Sequence, residues 1–354
     1  MSKVAVVLFQ LGGPDSLEAV RPFLQNLFLD PDIIDFPGAS IARTFLARVI
    51  ASRRSGPVAN HYREIGGKSP INELTELQAR ALEKQLNEEG IDATVLVAMR
   101  YWHPMTDNVV EQVKTGSFDE VVLLPLYPHF SKATTYSSVN EWNRQCQKAG
   151  LSIPTRLVCC YPNHPRYIAA MIDLVNKALA KLDDIDPREI DLVFSAHGVP
   201  IDFIRQGDPY KLQIEETVRQ ILRKGAWTSP HTLCYQSKVG PARWLEPSLL
   251  GTIEHLGATG RRHLVIIPVA FVTDHIETLH EINIEAREEA VQHGIARFEM
   301  APALNDHPLF IDCLADLVKA RLQSDYSPAS KCRRLQMDNG QGEPEPALCP
   351  WFHE

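Results

Sequence analysis

Residues 263–277 read HLVIIPVAFVTDHIE, and the first seven of them decide the fold. Leu264, Val265, Ile266 and Ile267 are apolar in succession, without the alternation of a strand that keeps one face in water. A run this short and this apolar reads as a strand covered on both faces, as in a parallel sheet packed between helices. VVLLPL at 121–126 has the same character. Strand patterns fall at 4–9, 93–99, 120–126, 156–161, 192–195, 233–236, 263–269 and 296–300, and amphipathic spacing predicts helices over 16–29, 73–89, 134–150, 167–182 and 277–293. Such alternation implies an α/β protein of the doubly wound, Rossmann- or flavodoxin-like kind with parallel sheets. The strands fall into two sets that part near residue 155. The expected organisation is therefore two similar domains, 1–155 and 156–325, with a cleft between them. Residues 326–354 lose periodicity and gain Pro, Gly and charge, and are expected to form a flexible tail.

The 354 residues, 44% hydrophobic and 23% charged, have the composition of a soluble globular protein. A net charge of −8 argues against nucleic acid, because a polyanion is bound by clustered Lys and Arg that this chain does not supply. No stretch approaches the ~18 uninterrupted apolar residues of a spanning helix. The opening MSKVAVVLFQLGG reads as a strand, too short and wrongly flanked for a secretory signal. Seven cysteines, an odd number without secretory context, predict a reducing compartment and no disulfide framework. The expected location is the cytoplasm.

In sheets of this kind ligands gather beyond the carboxyl ends of the strands. After the first strand come Gln10, Leu11, Gly12, Gly13 and Pro14, which suit close backbone approach or a plain turn. Neither a dinucleotide fingerprint nor a Walker sequence is present. After the second strand stand Arg100, Tyr101, Trp102 and His103. They suit a flat anionic ligand, rings stacking and the guanidinium taking a carboxylate, and equally a domain-interface cluster. Tyr127, His129, Ser131, Thr134 and Ser138 follow the third strand, where some can simply cap the next helix.

The stretch FSAHGVP at 194–200 delivers His197 at a strand end, and Gly198 and Pro200 forbid continuation of strand or helix. The imidazole is then held by a rigid frame, whether for structure or for chemistry. After 263–269 come Asp274, His275 and Glu277. A capping box accounts for Asp274 and Glu277, but not for Glu281 and Glu285. Glu277, Glu281 and Glu285 recur every four residues, so on a helix three carboxylates share one face. Each like-charge pair costs on the order of 0.2–0.5 kcal/mol. Either that face is solvated, or it handles protons or first-row divalent cations such as ferrous iron. The histidine–glutamate patterns of zinc hydrolases are absent.

The segments LGGPDSLEAVRPFL, YREIGGKSPI, MRYWHP, LPLYPHFS, FSAHGVP, RQGDPY, QSKVGPARWLEP and PVAFVTDHIETLHEI, in this order and spacing, resemble the ferrochelatase family across nearly all of 3–325. The resemblance implies insertion of ferrous iron, as substrate, into protoporphyrin IX with loss of two protons, and a porphyrin cleft between the domains. It implies His197 and Glu277 as the catalytic pair, and Asp274, His275 and Glu281 beside them as further metal-handling positions. It also implies Leu11, Arg100, Tyr101, Tyr127 and Trp244 as porphyrin-lining positions. Two rivals stand beside it. One is a chelatase acting on coproporphyrin III or a related tetrapyrrole; those that prefer coproporphyrin tend to carry a tyrosine where this chain has Leu11 and Gly12. The other is a non-catalytic porphyrin or heme carrier, in which loss of His197 or Glu277 would be expected.

Cluster-bearing relatives place one cysteine after the Y-P-x-[YF]-S segment and three near the C-terminus. Here Lys132 occupies the first position, and the tail holds Cys332 and Cys349. Cys159, Cys160, Cys332 and Cys349 are the alternative set of four thiolates for a [2Fe–2S] cluster, and adjacent strand cysteines point to opposite faces, which disfavours it. Ile41, Ala42, Phe45, Leu46, Val49 and Ile50 fall at helical spacing among Arg43, Arg48, Arg53 and Arg54. Such a helix suits either peripheral contact with the inner face of the cytoplasmic membrane or packing within its own domain. A homodimer is the further partnership considered.

Overall fold

The computed structural model describes residues 2–33, 40–238, 240, 242–323, 335–338 and 344–347, with side chains for those in 2–33 and 43–323. Two four-stranded parallel sheets organise it. In the first, β1 (Val4–Gln10), β2 (Ala93–Met99), β3 (Glu120–Pro125) and β4 (Thr155–Leu157) lie in the order β2-β1-β3-β4. In the second, β5 (Ile190–His197), β6 (His231–Gln236), β7 (His263–Pro268) and β8 (Arg297–Met300) repeat that order as β6-β5-β7-β8. The expectation from HLVIIP and VVLLP holds, since 264–268 and 121–125 are wholly buried. Parallel strands need crossover helices, and these cover the faces that a hairpin-linked sheet would leave to water.

Two compact units result. Among the described residues, one comprises the chain up to Tyr127, Ser131–Cys160 and residues 314–323; the other comprises Pro128–Phe130 and Tyr161–Cys313. The strand expected at 156–161 differs from what is found. Only Thr155–Leu157 is strand, and it pairs with β3 in the first sheet rather than opening the second. Val158 N–H still bonds to Leu123, but Tyr161 N–H turns to the carbonyl of Pro128, which takes the chain off the ladder. In the second unit Val193, Leu264 and Ile266 meet Ile253 and Leu256 of helix Leu249–Ala258 and Ile282, Ala286 and Ala290 beyond β7. That core fixes the element on which Glu277 and Glu281 stand.

The elements after β3 and β7 are not plain α-helices. Lys132–Tyr136 and Glu277–Ala286 are π-helical and run into helices Ser137–Ala149 and Arg287–Gln292. The basic stretch lies in one long helix, Ser40–Glu64; Ala47 and Ala51 are buried in it, whereas Phe45 is 71% exposed. The side chains of Ile41 and Ala42 lie outside the described residues. Among the described residues no helix is long and apolar enough to cross a membrane. Most of the tail, with Cys332 and Cys349, also lies outside them. Within it Leu335–Asp338 and Pro344–Ala347 pair antiparallel, where no regular structure is expected from composition. Pro344 and Pro346 stand two apart, so both missing N–H groups fall on one side, which an edge strand tolerates.

Candidate active site

β5 ends on His197 because Gly198 and Pro200 stop it. The Gly198 N–H bonds to the carbonyl of Gln236, the last residue of β6, 2.8 Å away. A Cβ on Gly198 would sit 3.0 Å from that carbonyl and 3.2 Å from Cε3 of Trp244. Glycine is therefore required for Trp244 to approach, its ring 6.2 Å from that of His197. Trp244 is itself held by a bridge to Pro200. The backbone of His197 is fixed from a third side, its carbonyl accepting from the hydroxyl of Tyr210 at 3.0 Å.

The His197 side chain is 34% exposed. Its Nδ1 donates to the carbonyl of Gly198, which leaves Nε2 as the free lone pair of the neutral ring. That Nε2 lies 3.7 Å from Oε1 of Glu277, while Oε2 of Glu277 lies 3.6 Å from Nε2 of His275. The Nδ1 of His275 is tied to the carbonyl of Thr273 at 2.9 Å. The three side chains thus form a row, imidazole–carboxylate–imidazole. Oε2 of Glu277 is buried and accepts no hydrogen bond. Burial pushes the Glu277 carboxyl up, but His197 and His275 outweigh it, so it lies below the ordinary carboxylate range. For His275 burial works downward, and the carboxylate of Glu277 reverses it to a net rise.

Glu281 stands on the same helical element and carries the opposite shift. Burial and the charge of Glu277 hold its carboxyl above the ordinary value, against the donors around it. Those donors are the amide of Gln236, 3.1 Å from Oε2, and the hydroxyl of Ser237. Ser237 adopts a φ of 65° to reach it. Glu285, the third of the series, is exposed. Asp274 is tied into the fold. Its Oδ1 accepts from Thr278 Oγ1 at 2.9 Å and the Ala303 N–H at 3.2 Å, and its Oδ2 accepts from Asn305 Nδ2 at 2.8 Å. The carboxylate is occupied in joining the first turn after β7 to the 303–305 loop. Among the described residues no three His, Cys, Asp or Glu side chains converge as a metal cage. The expected set His197, Glu277, Asp274, His275 and Glu281 is thus a row of three, a neighbour behind it and a strut.

The first unit holds the other expected positions. Arg100 is not a free cation. Its guanidinium pairs with Asp30 at 3.0 Å, bonds to Ser137 Oγ at 2.8 Å and lies 3.9 Å from Glu141. The Asp30 side chain is fully buried, and removing one partner of such a pair costs about 3–5 kcal/mol. The guanidinium is held there by its protein partners. Tyr101 is equally committed, its hydroxyl donating to Asp30 at 2.7 Å and its ring 1% exposed. Tyr127 is buried past the end of β3, and burial pushes its phenol well above the ordinary value. Leu11, half-buried after β1, is fixed through its carbonyl to the Tyr101 N–H at 2.9 Å. The cleft beside Arg100 and Arg144 measures about 210 Å³, less than small-molecule sites of about 300–1,000 Å³ require. Gln236 and Ser237 escaped the sequence reading, although the strand-end rule applied to 233–236 points at both.

A family model described as ferrochelatase matches residues 3–322. A ferrochelatase of Citrifermentans bemidjiense is 47% identical over 318 residues, covering 90% of this chain and 98% of the relative. The ferrochelatase of Geobacter metallireducens is 48% identical over the same 90% and 98%, and that of Parasynechococcus marenigrum 46% identical over 91% and 84%. Among solved structures, SirB from Bacillus subtilis with Fe3+ aligns with a TM-score of 0.55 at 10% identity, over 90% of this chain and 95% of that one. At that identity the likeness is one of fold.

Proposed function

The chain belongs to the ferrochelatase family, and from that premise we propose that its porphyrin substrate is protoporphyrin IX, with His197 and Glu277 as the groups that serve the insertion of ferrous iron. A free porphyrin carries two pyrrole N–H protons that leave as the metal enters. The observation that carries the reading is the His197–Glu277–His275 row at the carboxyl end of β5 and β7. His197 presents a lone pair at Nε2 from a ring whose other nitrogen is tied down, the arrangement a general base needs. Glu277, ionised beside it, stabilises the imidazolium that forms. Carboxyls pushed apart in acidity divide acid and base roles: Glu281, held above the ordinary value, is the group to accept a proton in turn. The buried Oε2 of Glu277 and the two imidazoles can meet the incoming ferrous ion two at a time.

Leu11 supports the choice of porphyrin. An apolar, half-buried side chain at the end of β1 suits vinyl groups better than the propionates that coproporphyrin carries in their place. Trp244 contributes a large ring beside His197 for stacking against a macrocycle. This reading includes no resident cluster, since Lys132 stands at the family's first ligand position and Cys159 and Cys160 are consecutive. Peripheral membrane contact through helix Ser40–Glu64 belongs to the same reading, supported by exposed Phe45 among exposed Arg48, Arg53 and Arg54. The test is anaerobic incubation with ferrous iron and either protoporphyrin IX or coproporphyrin III, followed by the product spectrum. Faster turnover of protoporphyrin is expected. Turnover of coproporphyrin alone would overturn the substrate assignment.

A further inference from the structure

Two residues before His197, Ser195 is fully buried. Side chains two apart on a strand share a face, so Ser195 lies beneath the face that carries His197. Its hydroxyl donates to Oε1 of Gln236 at 2.8 Å. The amide of Gln236 is satisfied at its other end as well, Nε2 donating to the main-chain carbonyl of Glu277 at 2.9 Å and to Oε2 of Glu281 at 3.1 Å. A carbonyl and a carboxylate can only accept, and the Ser195 hydroxyl has Oε1 as its acceptor, so a flipped amide would face acceptors with an acceptor. The register of β5 on β6, which sets His197 opposite Gln236, brings the three elements to one point.

We propose that Ser195 is a positioning residue for metal insertion: through its hold on Oε1 of Gln236, it sets where Glu277 leaves the π-helix and where Glu281 is pinned. One buried hydroxyl thereby holds both carboxylates in register with His197. Ser237 supplies the second donor to Glu281 from the strained end of β6. Without Ser195, Oε1 of Gln236 has no donor among the described residues, and the buried amide is held at its Nε2 end only. The inference rests on the assignment of Glu277 and Glu281 to ion handling. It is nevertheless separable from it, because wild-type turnover tests the assignment and a comparison among Ser195 variants tests the relay.

The experiment is a double-mutant cycle on the full chain. Ser195→Ala is expected to raise KM for ferrous iron about tenfold, the usual effect of removing an outer partner of a metal-handling group. Porphyrin KM and kcat should stay near wild type. Ser195→Thr, which keeps the hydroxyl, should restore the metal KM. In a Gln236→Met background Ser195→Ala should have no further effect, since the relay is already broken. Should the Ala variant fold poorly, Ser195→Cys fills the same volume with a weaker donor and should show a smaller rise. An equal loss in both backgrounds, or a loss falling on porphyrin KM, would overturn the proposal.

Discussion

At the scale of single residues, Asp274 separates a strut from a ligand. Its two oxygens accept from Thr278, Ala303 and Asn305, so most of its acceptor capacity is spent inside the fold. Asp274→Asn turns one acceptor into a donor that faces a donor. The expected cost is about 1.5–3 kcal/mol of stability, the scale of a hydrogen bond to a charged group, with metal KM unchanged. Urea unfolding alongside steady-state assays checks this; a selective rise in metal KM at full stability would refute it. Residue placement is legible in the sequence where local pattern decides it. His197 and Glu277 stand just where strand ends deliver side chains, and both are in the row. The pairing of Arg100 with Asp30 is not legible locally, because Asp30 comes from a distant turn. Ser195 was invisible, since a serine within an apolar run has meaning only through its neighbour on β6.

Among the elements, the π-helices are the feature that periodicity does not distinguish. A repeat of carboxylates every four residues reads as an α-helical face, and i→i+5 bonding rotates the spacing only slightly. The core positions Ile282, Ala286 and Ala290 repeat at the same interval, so apolar and acidic positions keep separate sides of one widened helix. π-Helical turns often mark functional sites, and here the one after β7 begins at Glu277 itself. At the exit of β3, His129 is buried against the rings of Tyr167 and Tyr210. Its Nε2 donates to Thr217 at 2.8 Å, whose own hydroxyl goes to Pro162. Burial lowers this imidazole from 6.5 to about 3. Between those values the unfolded chain holds a proton on this ring that the folded chain does not. Acid therefore favours unfolding, and stability rises with pH up to the ordinary histidine value and is level above it. At pH 5 the difference is about 2 kcal/mol. His129→Gln keeps a donor and should flatten the pH 5 to 7 stability profile by that amount in urea titrations; an unchanged slope would contradict it.

For the molecule as a whole, apolar runs and strand–helix alternation were enough to read two parallel sheets, and the sheets share one strand order. The boundary was harder to read. Thr155–Leu157 pairs with β3, and the chain returns to the first unit over residues 314–323; parallel pairing partners are chosen by tertiary packing and leave no mark in the local sequence. The repetition of topology has a functional consequence. Of the corresponding strands β1 and β5, the first ends on Gln10 and the second on His197, so His197, Glu277 and Glu281 all belong to the second unit. The account's central claim is that this base makes insertion possible without being what holds the porphyrin. The most direct measurement follows the porphyrin spectrum anaerobically after adding ferrous iron to wild type and to His197→Ala, with porphyrin affinity taken from fluorescence titration. The account expects insertion to fall at least about a hundredfold, the contribution of a positioned general base, with porphyrin affinity unchanged. Near-normal insertion by His197→Ala would contradict it.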